Sequence, residues 1–473
     1  MIRKRIGLLT GPILFCIVFL GQPFDGLNPE ANAVLASTLW IASWWLSEAL
    51  PISATALLPI VLLPLTGGAP IAQTTAAYGD KMLYLFVGGF IIAIAMQRWN
   101  LHRRIAIEII SAIGTNARLI VLGFMLATGL LSMWISNTAT TLMMVTIGTA
   151  LITEMKELTG KSGKMFFKSL LLGIAFSASI GGVATLVGTP TNPIFVSIAN
   201  KLYNQEFSFA TWMAFALPFS LVMLFICWIV LTRLVFPLHK VNITIGREMI
   251  LKEKKALGKM SHEEKVIGIV FVTTAILWIT RSFVLNGIIP GINDTVIAIA
   301  AALTMFIIPS KEKNGKPLLT WEEAERLPWG VIILFGGGLS IAAAFQSSQL
   351  AEWLGLQLTG VAELPLFVII LIIALSVNFL TEVTSNVATA SIMLPVLASL
   401  AEAIGIHPFL LMIPATMAAS CAFMLPIATG PNAIVFSSGE LKMMDMVRSG
   451  VWLNIVSSIL ISALVYWVLP YFL

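Results

Sequence analysis

From one end to the other, this chain is a succession of apolar runs about as long as the hydrocarbon core of a bilayer is thick, separated by short polar loops. About 20 apolar residues carry a helix across that layer, where a chain must satisfy its own backbone hydrogen bonds. Only 11% of the 473 residues are charged, against about a quarter in an ordinary soluble domain. No sizeable water-soluble domain fits between the runs. The opening Arg3-Lys4-Arg5 and the apolar stretch Ile6 to Leu20 resemble a secretory leader, but no small-residue cleavage site follows, and the segment reads as a retained first span. Cys16, Cys227 and Cys421 all sit in apolar segments and are odd in number, which points to packing rather than to a disulfide framework or metal cluster. The net charge of +5 gathers in loops between spans and reports sidedness rather than nucleic-acid binding.

With Arg3 to Arg5 placed in the cytoplasm, eleven crossings are expected, near 6–22, 34–50, 52–66, 81–98, 168–202, 212–236, 266–285, 294–309, 328–350, 408–438 and 450–471. Stretches 117–154 and 365–400 are too long for one crossing, and a polar Ser-Asn step interrupts each near its middle. Both are expected to be re-entrant hairpins. Of 28 Lys and Arg, this scheme leaves only Lys81, Lys201 and Arg281 outside, and it puts the C-terminus outside. Treating either hairpin as a single crossing would invert the later loops and spoil the asymmetry. Val241 to Lys259 mixes apolar and basic residues at helical spacing, as an amphipathic linker on the inner surface would. Trp44, Trp45, Trp99, Trp212 and Trp329 lie near span ends and read as interfacial anchors.

The two halves resemble each other. Leu85-Phe86-Val87-Gly88-Gly89 with Gln97 matches Leu334-Phe335-Gly336-Gly337-Gly338 with Gln346, and Ser136-Asn137-Thr138 matches Ser385-Asn386-Val387, both at an offset of 249. After each hairpin, Gly188-Thr189-Pro190-Thr191-Asn192 matches Ala428-Thr429-Gly430-Pro431-Asn432 at an offset of 240. The expected topology makes the copies inverted, an arrangement of transporters in which paired broken helices meet at a midplane site. The glycines of the first match sit inside apolar spans and lack the Lys-Ser/Thr of a phosphate loop, so they read as close helix packing.

At the breaks, hydroxyls, side-chain amides and free carbonyls can bind a small hard cation such as sodium. Ser132, Ser136, Asn137 and the Gly188 region supply them in the first half; Thr381, Thr384, Asn386 and the Ala428 region do so in the second. A carboxylate substrate needs donors, which Ser136, Asn137, Thr138, Ser385, Asn386 and Thr429 provide, helped by the positive ends of helices. Neither hairpin core holds Arg or Lys, so cation and anion affinities are expected to be linked. Isolated Ser and Thr in membrane helices more often bond their own backbone, whereas a matched Asn pair inside apolar hairpins is costly to keep without a use. Glu382 is an intramembrane carboxylate that either serves transport or bonds backbone at the hairpin tip, and Glu48 reads as an interfacial or scaffold residue. His102, His239, His262 and His407 are scattered in loops, and no nucleophile with a base is visible, which argues against an enzyme.

The segments Ser132-Met133-Trp134-Ile135-Ser136-Asn137-Thr138-Ala139-Thr140, Thr381-Glu382-Val383-Thr384-Ser385-Asn386-Val387-Ala388-Thr389 and Ser420 to Thr429 resemble the divalent anion/sodium symporter family, the INDY-type dicarboxylate transporters. The resemblance runs from Trp45-Leu46-Ser47-Glu48-Ala49-Leu50 to Asn454. It implies an all-α polytopic homodimer whose scaffold, residues 1–110 and 266–356, holds a transport domain, residues 111–238 and 357–473, moving as an elevator, with 239–265 as the linker. It also implies at least two sodium sites, around Ser132, Ser136, Asn137 and Gly188 and around Thr381, Thr384, Asn386 and Ala428. A dicarboxylate would lie between the Ser-Asn motifs, bordered by Thr138, Pro190 and Thr429. The chain departs from the family pattern at Val387, where many bacterial members have Thr, and at Gly430, where proline is usual. The expected function is sodium-coupled uptake of succinate, malate or fumarate across a cell membrane. Exchange or proton coupling, and citrate or sulfate as substrate, remain open.

Overall fold

The computed structural model describes residues 2–114, 116–238, 244–312, 315–357, 360 and 363–472. Among these residues the regular structure is helical, apart from an isolated bridge between Pro309 and Pro317. Seven helices are long and apolar enough to cross a bilayer, and five shorter apolar helices accompany them: Ile52–Thr66, Ala117–Ser132, Asp294–Ile307, Leu366–Thr381 and Phe409–Ala418. Side chains such as Ile269, Val272 and Ile276 are exposed on one helix, as expected where the outer solvent is lipid.

Polar residues fix where several helices begin. Asn28, Asn116, Ser208, Ser261 and Asn293 each accept a hydrogen bond from the backbone three residues on, and Asp80 from two residues on. Each satisfies one N–H that the helix itself leaves without a partner.

The repeat read in the sequence recurs in the backbone. Helices Ala117–Ser132 and Leu366–Thr381 begin and end 249 residues apart, and so do the starts of Asn137–Val183 and Asn386–Ala403 and of Leu101–Ile113 and Leu350–Gln357. Several expected spans are interrupted rather than continuous. Run 52–66 breaks at Ala56 and Leu57, run 168–202 at residues 184–190, and run 408–438 at residues 419–429.

The backbone is helical over all of Asn137–Val183. A straight helix would put Gly148 and Ile174 about 39 Å apart at 1.5 Å per residue. Instead a Cβ on Gly148 would lie 3.2 Å from Ile174, and one on Gly182 would lie 2.7 Å from Asn137. The element therefore doubles back, and its two ends meet at the first Ser-Asn step.

The glycine motifs do pack helices closely, since a Cβ on Gly88 would lie 2.6 Å from the Ala298 backbone and one on Gly337 2.5 Å from the Ala56 carbonyl. The interfacial reading of the tryptophans is corrected at two positions. Trp45 and Trp212 are 2% and 1% exposed, and their indoles donate inward to the carbonyls of Ile52 and Val183 at 3.1 and 3.0 Å. Helix ends that break inside the protein need such donors as much as an interface does. Of the cysteines, Cys227 and Cys421 are buried and Cys16 is exposed.

Of the expected linker, residues 239–243 lie outside the described residues; the rest includes helix Thr244–Ala256. Arg103 pairs with Glu253, Lys254 with Glu108 and Arg104 with Glu264, at 2.6, 2.6 and 2.8 Å, tying this segment to helix Leu101–Ile113.

Candidate functional site

Four chain breaks converge on one cavity of about 320 Å³. Two are the hairpin tips, Met133–Ser136 and Glu382–Ser385, and two are the interruptions at 184–190 and 419–429. Ser136, Asn137, Thr138, Gly188, Pro190, Thr384, Ser385, Asn386, Val387, Ala428 and Thr429 all line it. Ser132 and Thr381 stand behind that wall, fully buried.

At the first tip, one terminal atom of the Asn137 amide lies 2.5 Å from Ser132 Oγ and 3.2 Å from the carbonyl oxygens of Gly188 and Ala178. If that atom is nitrogen, it can donate to these oxygens. If it is oxygen, it accepts from the Ser132 hydroxyl, and four oxygens from Asn137, Ser132, Gly188 and Ala178 come together as a small hard cation prefers. The donor set therefore fits a small hard cation. Ser136 is not part of this cluster; it lines the cavity.

At the second tip Thr381 Oγ1 lies 2.7 Å from Asn386 Oδ1 and 3.0 Å from the Ala419 carbonyl. The Thr381–Asn386 pair repeats the Ser132–Asn137 pair, with the carbonyl here against the hydroxyl rather than the amide. The Thr384 hydroxyl is 2.9 Å from the Leu380 carbonyl and 2.6 Å from Thr389 Oγ1, so it is engaged within the hairpin and is not turned towards the cluster.

Three of the four helix starts at this cavity are left without a side-chain cap. Ser136, Pro190 and Ser385 precede helices Asn137–Val183, Thr191–Tyr203 and Asn386–Ala403 without making a side-chain cap. Thr429 caps the fourth through the Asn432 N–H at 3.2 Å. Uncapped first-turn N–H groups attract anions. Among the described residues, no Lys or Arg lines the cavity.

Two asparagines that the sequence repeat contains, but to which it assigned no role, set these breaks. Asn192 donates to the carbonyls of Val183 and Thr185 at 3.1 and 2.8 Å, and Asn432 to those of Ala422 and Leu425 at 3.2 and 3.0 Å. These amides fix matching unwound turns, and the 240-residue repeat of Asn was the signal that could have found them. Glu382 resolves towards the structural alternative. It accepts from the backbone N–H of Phe423, Met424 and Leu425 at 2.7, 2.8 and 2.9 Å and from Asn454 at 2.7 Å. In the first half Thr185 Oγ1 donates to the Met133 carbonyl instead. The wall facing the breaks is apolar at Phe86, Phe90 and Val331, with Glu48 its one charged residue among those described.

Comparison with known proteins gives a consistent picture. Residues 4–472 match the family described as the sodium:sulfate symporter transmembrane region. The chain is 45% identical to the sodium-dependent dicarboxylate transporter SdcS of Staphylococcus saprophyticus, an alignment covering 99% of this chain and 92% of that one. It is 46% identical to the SdcS of Staphylococcus aureus, over 99% and 91%. In fold it is similar to the crystal structure of the Alcanivorax borkumensis YdaH transporter, with a TM-score of 0.61 and 15% identity over 92% of this chain and 98% of that one. The chain is therefore a multi-pass membrane protein belonging to the divalent anion/sodium symporter family.

Proposed function

We propose that this protein is a sodium-coupled carrier of C4-dicarboxylates such as succinate, malate and fumarate, rather than an enzyme. The observation that carries this reading is the cavity wall, where matched Ser/Thr-Asn clusters stand behind uncapped helix starts and no basic side chain is present. A dianion placed there is balanced by helix ends, hydroxyl and amide donors, and cations held by the two clusters. Ser132, Asn137, Gly188 and Ala178 hold one sodium; Thr381, Asn386, Ala419 and the Ala428 backbone hold the other. The substrate carboxylates take donors from Ser136, Asn137 and Thr138 at one end and from Ser385, Asn386 and Thr429 at the other, with Pro190 and Val387 closing the sides.

Coupling follows from the Asn137 amide, whose oxygen turns inward when a cation binds and leaves its NH₂ for the anion. The two hairpins and the broken helices move as one transport unit against the scaffold, in an elevator motion, within a homodimer in the bacterial inner membrane. Eleven crossings and two re-entrant hairpins place the N-terminus inside and the C-terminus outside.

Succinate uptake into proteoliposomes, with sodium, potassium or proton gradients imposed in turn, tests the function. Uptake driven by sodium alone is expected, and equal rates in sodium and potassium would overturn the reading. A cysteine at Lys316 should be labelled only from the cytoplasm and one at Glu363 only from outside; the reverse pattern would rule out the two-hairpin topology.

A further inference from the structure

The cavity has a second wall, opposite the breaks, to which Glu48, Ile52, Phe86, Phe90, Pro328 and Val331 contribute. Among the described lining residues Glu48 alone carries a formal charge, and its sign is that of the anion. It follows helix Pro29–Ser47 in a left-handed turn, φ 51° and ψ 41°, with its N–H on the Trp44 carbonyl. That turn aims an exposed carboxylate at the cavity, with no ion-pair partner among the described residues. Glu48, Ile52, Pro328 and Val331 also line an adjoining cavity of about 490 Å³ that reaches Lys4. Glu48 thus stands where the site opens onto a wider path.

A dianion site with no basic side chain gains nothing from a carboxylate on its wall when binding is the aim. The charge makes sense for release. Because Glu48 belongs to the wall facing the breaks, it meets the anion only while the cavity is arranged as it is here. An interaction present in one state and absent from the other changes the relative affinity of the two. We infer that Glu48 is a release and charge-selectivity residue, which weakens anion binding in this state and penalises a trianion more than a dianion. The inference rests on the dicarboxylate-carrier reading above. Across a water-filled cavity roughly 8 Å wide, one fixed charge changes affinity by about two- to threefold per unit of anion charge.

The test is calorimetric binding of succinate, and of citrate at about pH 8, to the purified full-length carrier in saturating sodium. Glu48→Gln and Glu48→Ala should each tighten succinate by about fivefold and citrate by about tenfold or more, raising the citrate-to-succinate ratio two- to threefold. Glu48→Asp keeps the charge and should bind as the parent does. Lys4→Gln, which removes the opposite charge from the adjoining cavity, should weaken both anions slightly. Unchanged affinities in both neutral variants would overturn the inference, and so would an equal disturbance by Glu48→Asp, which would mark a role of shape rather than charge. Lack of sodium-dependent succinate binding by the parent protein is a separate outcome, and it would count against the function itself.

Discussion

The two breaks that follow the hairpins have similar shapes held by different chemistry. In the first, backbones come close enough that a Cβ on Gly188 would lie 2.4 Å from the Gly182 carbonyl, and a single hydroxyl, Thr185, ties the segment to the hairpin tip. In the second, Ala428 stands at the position of Gly188 and a buried carboxylate, Glu382, gathers three backbone N–H groups and Asn454. An asparagine amide holds each break, Asn192 or Asn432, with close backbone packing added in the first and a buried carboxylate in the second. The asparagine clusters they present are nevertheless alike, which suggests that the cluster is the functional element and its support is free to vary.

The sharpest challenge to that comparison is to remove the shared element. Asn137→Ala and Asn386→Ala should each lower sodium-driven succinate uptake by about a hundredfold or more, because each amide serves both cation and anion, at about 1.5–3 kcal/mol for each charged hydrogen bond. Size-exclusion profiles should stay normal, and near-normal uptake by either folded variant would show that the site lies elsewhere.

The supports should then fail unequally. Glu382→Ala orphans several backbone donors at about 1–3 kcal/mol each, so a large fall in Tm is expected together with loss of uptake. Thr185→Val removes one hydroxyl and should cost only about 1–2 kcal/mol. Equal losses of Tm would erase the contrast between the halves.

A smaller effect separates the backbones. Gly188→Ala forces backbone apart and should weaken sodium activation of uptake by about tenfold, on the order of 1–3 kcal/mol of overpacking, whereas Ala428→Gly should shift it less than about threefold. The mildest change is Val387→Thr, which adds a hydroxyl to the cavity wall and should alter the preference among succinate, malate and fumarate by a few-fold. Competition assays would read this.

Much of this was legible in the chain. Apolar runs fixed a helical membrane protein, and the Ser-Asn pairs located both tips to the residue, because burying an amide in an apolar hairpin is costly enough to leave a mark. The doubling back within Asn137–Val183 was expected from the polar stretch between runs 117–154 and 168–202, but not that the backbone stays helical through it. Trp45 and Trp212 misled because a tryptophan near a span end looks the same whether its indole faces lipid headgroups or a broken helix. Glu48 was passed over for a related reason: its position after a span suggested an interface, and only the packing of Pro328 and Val331 beside it reveals a cavity.

Two of the contacts between the halves join the breaks themselves. The Ser420 hydroxyl, in the second break, lies 2.8 Å from Thr191 Oγ1 and 3.3 Å from Thr189 Oγ1 of the first, with the rings of Phe176 and Phe423 packed nearby at 5.3 Å. In mechanical terms this is a seam without slack. Neither break can shear past the other without parting buried hydroxyls that have no water to turn to, so on the proposed reading the two cations travel as a fixed cargo. A carrier built this way has little room for slippage, and its transport ratio becomes a property of its stiffness as much as of its affinities.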